Sequence, residues 1–182
     1  ADTSHTINSN VTAGIANGVL IKAKTIEVDA VNTIAKPTWS GGGANLDGAA
    51  KALASGAGVS SRTNLGLTTL INVGDADLIA TEDTSAASVL RLEARNQIDA
   101  IERMAFEAAG LGSGVSMNTS IKALTDIARV QIGSDALLRS AGKATISSRG
   151  GGDITIAASA EANGAVGVVK GDSTIDLRPL NE

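Results

Sequence analysis

The sequence has no cysteine and no tyrosine, and its aromatic inventory is one tryptophan and one phenylalanine. Without cysteine there are no disulfides, thiolate metal sites or cysteine nucleophiles, although either redox compartment stays open. Without aromatics the usual source of large buried area is gone. The hydrophobic content is nonetheless 43%, and it must come from Ala, Val, Ile and Leu. A core built from these is thin, with backbones in close approach. Stacked repetitive architectures meet that condition, because each layer covers only its neighbour.

A dominant positive charge is missing too. The net charge is −4, the isoelectric point is about 5.0, and Lys and Arg are dispersed. No basic stripe or aromatic platform exists for nucleic acid. No apolar run reaches the roughly 18 residues of a membrane span. Neither an initiator Met nor a signal peptide is present, and Ala1 begins mid-pattern. Residues 1–182 therefore read as one segment of a longer repetitive chain, or a processed product.

What the chain does have is punctuation and repetition. It carries 21 Gly and 2 Pro, with Ser, Thr, Asn and Asp throughout, which suits many short strands. It is too apolar and too weakly charged for disorder. Ile71-Asn72-Val73-Gly74 matches Val130-Gln131-Ile132-Gly133 at an offset of 130 − 71 = 59, which also matches Leu78 with Leu137 and Ile79 with Leu138. After three residues drop out, Leu90 matches Ile146 and Ile98 matches Ile154. A third copy runs through Val19, Ile21, Ala23, Ile26, Val28 and Ala30, and DTSHTIN near the start resembles GDSTIDL near the end.

Ile154, Ile156, Ala158 and Ala160 alternate with other residues, as a strand with one inward face does. The spacing predicts an all-β stack of parallel strands, a β-solenoid. Ile21, Val73, Leu90, Leu92, Val130, Ile132, Ile146, Ile154 and Ile156 are expected to point into one narrow core. At about 20 residues per coil the chain holds roughly nine coils, a rod of about 40 to 45 Å at ~4.8 Å per strand.

Two stretches lean the other way. Residues 45–56 place Leu46, Ala49, Ala50 and Leu53 at helical spacing, which leaves room for a short helical insert. From Ala86 to Gly110, Ala, Leu, Glu and Arg favour helix. The match of 90–98 to a glycine-rich partner points instead to strand through about residue 100, with 101–109 open.

The segments GGGANLDGAAKALASGAG, TTLINVGDADLIATEDTSAASVLRLEARNQIDA and ARVQIGSDALLRSAGKATISSRGGGDITIAASAEAN carry a further likeness. Over roughly residues 15 to 165 the chain resembles the repeat region of the leukotoxin family of filamentous adhesins. That family is related in style to the filamentous-haemagglutinin proteins exported by two-partner secretion. Lys143-Ala144-Thr145-Ile146 departs from it, standing where the family usually has an acidic residue before the strand. The resemblance implies a right-handed β-helix, export to the bacterial cell surface, and a structural or adhesive role. It brings no active site, cofactor or metal.

The chemistry within the chain is sparse. His5 is the only histidine and reads as a solvent-facing strand residue, not a member of a catalytic triad. The inventory is too poor for zinc. Gly150-Gly151-Gly152-Asp153 matches part of a calcium-binding nonapeptide but occurs once, so a glycine-rich turn is the better account. Asp75 and Asp77 read as solvated turn residues.

Asp83, Glu93, Arg95, Asp99, Glu102 and Arg103 form the densest charged patch, which reads as a solvated face. A polysaccharide-acting enzyme needs clustered carboxylates and aromatic platforms, and the second are scarce here. Trp39 reads as a seal on the apolar edge, with adhesive contact as the alternative. The sequons at Asn10 and Asn118 carry little weight.

No catalytic, cofactor-binding or metal residue is therefore expected. The chain reads as a structural repeat module of a giant secreted surface filament, stacking on like units. A receptor-binding adhesin segment, in contact with a host or neighbouring-cell surface, or a carbohydrate-active enzyme is the alternative.

Overall fold

The computed structural model describes residues 2–36, 46–81 and 87–181, without side-chain detail at 46–48 and 179–181. Trp39 and Asp83 lie outside the described residues. Among those described there are strands and turns but no helix. A first round comprises β1 (Asp2–Ile15), β2 (Leu20–Lys22), β3 (Thr25–Lys36) and β4 (Leu46–Lys51). A second comprises β5 (Ala54–Val73), β6 (Asp77–Ala80) and β7 (Val89–Ala109). A third comprises β8 (Gly112–Ile132), β9 (Leu137–Ser140), β10 (Lys143–Arg149) and β11 (Gly152–Asn163), and β12 (Val166–Asn181) follows.

Three sheets result. The first runs β1-β5-β8-β12 and the shortest runs β2-β6-β9. In the third, β7 is central, with β3 and β4 on one edge and β10 and β11 on the other. Every pairing is parallel. A chain that returns to the same sheet in the same direction after visiting two others follows a solenoid path. The first and third sheets face each other, because each apolar cluster draws residues from both.

The repeat found in the sequence is a physical contact. Ile71 pairs with Val130, Asn72 with Gln131 and Val73 with Ile132. The 59-residue offset is therefore one step between neighbouring strands, not three. The first sheet accordingly holds four strands among the described residues, not the nine layers expected. The reason is strand length: β7 and β8 have 21 residues each, so one round consumes far more chain than a short-stranded coil. A strand of 20 residues such as β5 reaches about 66 Å at ~3.3 Å per residue, while four strands stack to only about 14 Å. The shape is a broad slab instead of a rod.

Other matches shift slightly. Leu78 pairs with Leu138 and Ile79 with Arg139, one residue from the expected partners. Leu90 pairs with Ala144, Leu92 with Ile146 and Ile98 with Gly152, two residues away. A shift of two keeps every side chain on its face, so the inward assignment survives. The likeness of the two ends is positional as well. Asp2 pairs with Ser60, Ser60 with Asn118 and Asn118 with Asp172, which puts Asp2 and Asp172 in one column.

The helical insert expected over 45–56 is not present among the described residues 46–56. Residues 46–51 form β4 on the edge of β7, and Ala54 already begins β5. The open stretch 101–109 is strand, flanked by β4 and β11. Helix propensity amounts to a few tenths of a kcal/mol per residue, and pairing on both edges outweighs it.

All nine residues expected inside stand in inward columns, since their register partners are themselves inward. They do not share one narrow core, however. The interior divides into three apolar clusters, around Leu78 and Leu92, around Leu67 and Ile98, and around Met104 and Met117. Val73, Leu90 and Leu92 are buried, whereas Ile132 and Ile146 are 36% and 51% exposed. Ile146 lies in the same column as Leu92 but on an outer strand, so only one side of it is covered.

Candidate functional site

Polar residues occupy the gaps between the apolar clusters. Along β5 the inward residues read Val59, Ser61, Thr63, Leu65, Leu67, Thr69, Ile71 and Val73, all buried. Along β7 the inward order includes Leu90, Leu92, Ala94, Asn96, Ile98, Ala100, Glu102 and Met104, also buried. The two strands run oppositely across the slab, so polar faces polar and apolar faces apolar.

The first polar row is neutral on one sheet and acidic on the other. Asn96 Nδ2 donates to Asp126 Oδ1 at 2.8 Å and to the Ile127 carbonyl at 2.9 Å. Its Oδ1 accepts from Thr69 Oγ1 at 2.5 Å. One layer away, and in register with Asn96, Asn32 Nδ2 donates to the carbonyls of Ser9 and Thr68 at 2.8 and 3.3 Å. Gly150 closes the row in the next layer, where a Cβ would stand 2.8 Å from Asp126 Oδ2.

The second row holds an ion pair. Lys36 Nζ donates to Glu102 Oε2 and, at 2.9 Å, to Thr63 Oγ1. Ser61 Oγ donates to Glu102 Oε1 at 2.8 Å. Glu102 is thus buried with each carboxylate oxygen engaged. Burial draws the Lys36 ammonium below its ordinary 10.5, even with Glu102 beside it. Thr119, in the column of Ser61, is fully buried and its Oγ1 has no partner among the described residues.

The charged patch seen in the sequence is therefore split. Glu102 turns into the slab while Arg95, Asp99 and Arg103 stay exposed on the outer face. On that face Arg91 pairs with Asp29 at 2.7 Å, Glu93 at 3.4 Å and Glu27 at 3.5 Å, and Arg149 reaches Glu93 at 3.5 Å. The pairs to Asp29 and Glu27 are part exposed, where each is worth little, whereas Glu93 is buried between Arg91 and Arg149.

Asp75 is more than solvated. Its Oδ1 accepts the Asp135 N–H at 3.1 Å, and Asn17 Oδ1 accepts the Asp75 N–H at 2.9 Å. Asn17, Asp75 and Asp135 so form a ladder at the corner between the first and shortest sheets, each layer's side chain bonding the next layer's backbone where a carboxylate or amide oxygen is available. The signal was present as Asx residues at offsets of 75 − 17 = 58 and 135 − 75 = 60.

His5 is exposed on edge strand β1, beside Thr63. Asp153 is exposed at the start of β11, next to a shallow groove of about 360 Å³ lined by Arg95, Arg149 and the three glycines. No group of three or more metal-ligating side chains gathers among the described residues. No helix among them is long and apolar enough to cross a membrane.

Sequence reasoning missed the buried asparagines. Val-Asn-Thr-Ile at 31–34 and Arg-Asn-Gln-Ile at 95–98 place an Asn in the same phase, and that was the available signal. No family model, curated protein or solved structure matches the chain.

The remaining feature is the pair of open edges. Among the described residues, β1 and β12 each have one neighbour in the first sheet, and β9, β10 and β11 have none beyond β6 and β7. On β12 the inward residues are half open: Val169 is 50%, Ile175 48% and Leu177 40% exposed.

Proposed function

We propose that this chain is a structural module of a secreted bacterial surface filament or adhesin, a right-handed parallel β-helix that stacks on like units and performs no catalysis. The observation that carries this reading is the state of the edge at β12. A row of inward-facing apolar side chains is uncovered there, and the strand has a neighbour on only one side. Bare strand edges are templates for further pairing, and each layer of a solenoid is stabilised by the next. The extracellular setting is supported by the family resemblance of the repeat segments.

Sedimentation velocity across a concentration series tests the proposal. The expected result is a ladder of masses at multiples of the 18.1 kDa chain, suppressed by Ile175→Lys on the inward row of β12. A monomer at every concentration, with β1 and β12 as protected from hydrogen exchange as β5, would overturn it.

A further inference from the structure

We propose that the two buried polar rows, Asn32–Asn96–Thr69–Asp126 and Lys36–Glu102–Ser61–Thr63, are what selects the strand register of this solenoid. The need for a selector follows from period-two geometry. A slip of one residue exposes the whole inward face and is strongly disfavoured, but a slip of two keeps every inward residue inward. Inward apolar positions here are mostly Ala, Val, Ile and Leu, with Met104 and Met117, in varied order, so burial alone separates such registers weakly.

Repeat length does not supply the answer either. Between the first two rounds, paired residues lie 60 − 2 = 58 apart at Asp2 and Ser60, 89 − 25 = 64 at Thr25 and Val89, and 104 − 46 = 58 at Leu46 and Met104. Between the next two they lie 137 − 77 = 60 apart at Asp77 and Leu137 and 143 − 89 = 54 at Val89 and Lys143. Within each pair of rounds the offset changes by six residues, 64 − 58 = 6 and 60 − 54 = 6. Something other than a fixed spacing aligns the strands.

The polar rows have the required property. Each crosses from the third sheet to the first, so it reports the position of one sheet against the other as well as of one layer against the next. Sliding β7 by two residues would carry Asn96 to the level of Ala94 or Ile98, and Glu102 to the level of Ala100 or Met104. Asp126 and Glu102 would then be buried without partners, and the part-buried Lys36 would lose Glu102. Unpaired buried groups bear their full desolvation cost, and the penalty falls on every register except the native one. Polar side chains at a single core position play this part in coiled coils.

The absence of native cysteine makes the test direct. Thr33 and Gln97 are outward neighbours on β3 and β7, so Thr33→Cys with Gln97→Cys reports the native register on oxidation. Thr33→Cys with Asp99→Cys reports a slip of two. In the parent, only the first pair should cross-link.

Each reporter is then moved into two backgrounds that replace whole polar rows by apolar groups: Asn32→Leu and Asn96→Leu with Thr69→Val and Asp126→Leu, and Lys36→Met with Glu102→Leu, Ser61→Ala and Thr63→Val. The expected result is β-rich circular dichroism with the slipped pair cross-linking at least tenfold more than in the parent. A β-rich variant that still cross-links only the native pair overturns the proposal. Loss of β structure in both backgrounds also overturns it, since the rows would then be acting as stabilisers and not as register selectors.

Discussion

At the scale of single residues, the tight corner between the first and shortest sheets sets a close steric constraint. A Cβ on Gly133 would stand 2.4 Å from Asp75 Oδ1 and 2.7 Å from the Gly74 backbone, while Gly151 has nothing within 4 Å. Gly133→Ala is therefore expected to cost about 1–3 kcal/mol, and Gly151→Ala to lie within about 0.5 kcal/mol of the parent. Denaturant midpoints of the two variants check this. Hydroxyls divide the same way. Thr69→Val leaves Asn96 Oδ1 without its donor and should destabilise by about 1–3 kcal/mol, whereas Thr119→Val removes an unpartnered hydroxyl and should be neutral or stabilising in the same assay.

Lys36 provides a pH signature. Its folded pKa lies below the 10.5 of the unfolded chain, so the folded state releases this proton first as pH rises. Through that alkaline window the unfolded chain binds more protons, and this group's contribution to stability grows with pH. The gap in denaturation midpoint between the parent and Lys36→Met should shift in the parent's favour as the pH rises towards 10.5. A shift in the other direction would mean that the Glu102 ion pair outweighs burial.

At the scale of elements, position in the stack matters more than residue type. Leu92 and Ile146 share a column, but Leu92 is enclosed and Ile146 lies half open. Leu92→Ala should cost about 2–5 kcal/mol and Ile146→Ala clearly less, by urea titration. β7 makes the same point about conformation. Its stretch 97–109 has helix-favouring composition, yet it holds β3 and β4 on one edge and β10 and β11 on the other. A peptide of residues 97–109 taken out of that setting should show no β signal by circular dichroism.

At the scale of the whole molecule, stability should be graded from the middle outward. β5, β7 and β8 have neighbours on both edges, while β1 and β12 have one. Native-state hydrogen exchange should find the slowest amides in the first group and the fastest in the second. Addition of like units that cover the outer strands should slow β1 and β12 selectively and leave β5 unchanged.

The sequence by itself determined the class and the faces. Scarce aromatics, frequent glycine and period-two alternation specified parallel, thinly packed strands, and the Ile71–Val130 match named two residues that touch. Alternation is local, so which side of a strand faces inward can be read from a few neighbours. Only the tertiary structure decided how many residues make one round, that 46–51 and 101–109 are strands, and that Glu102 and Asn96 point inward to partners 66 and 30 residues away. Those outcomes depend on pairing between distant segments, whose energy exceeds local propensity and leaves no periodic trace. The repeat length was legible as 59 but not its meaning, because a repeat of one long strand per sheet and a repeat of three short coils produce the same self-match. The distinction lies in where the chain turns, and the interior polar rows disclose it only once both facing sheets are in place.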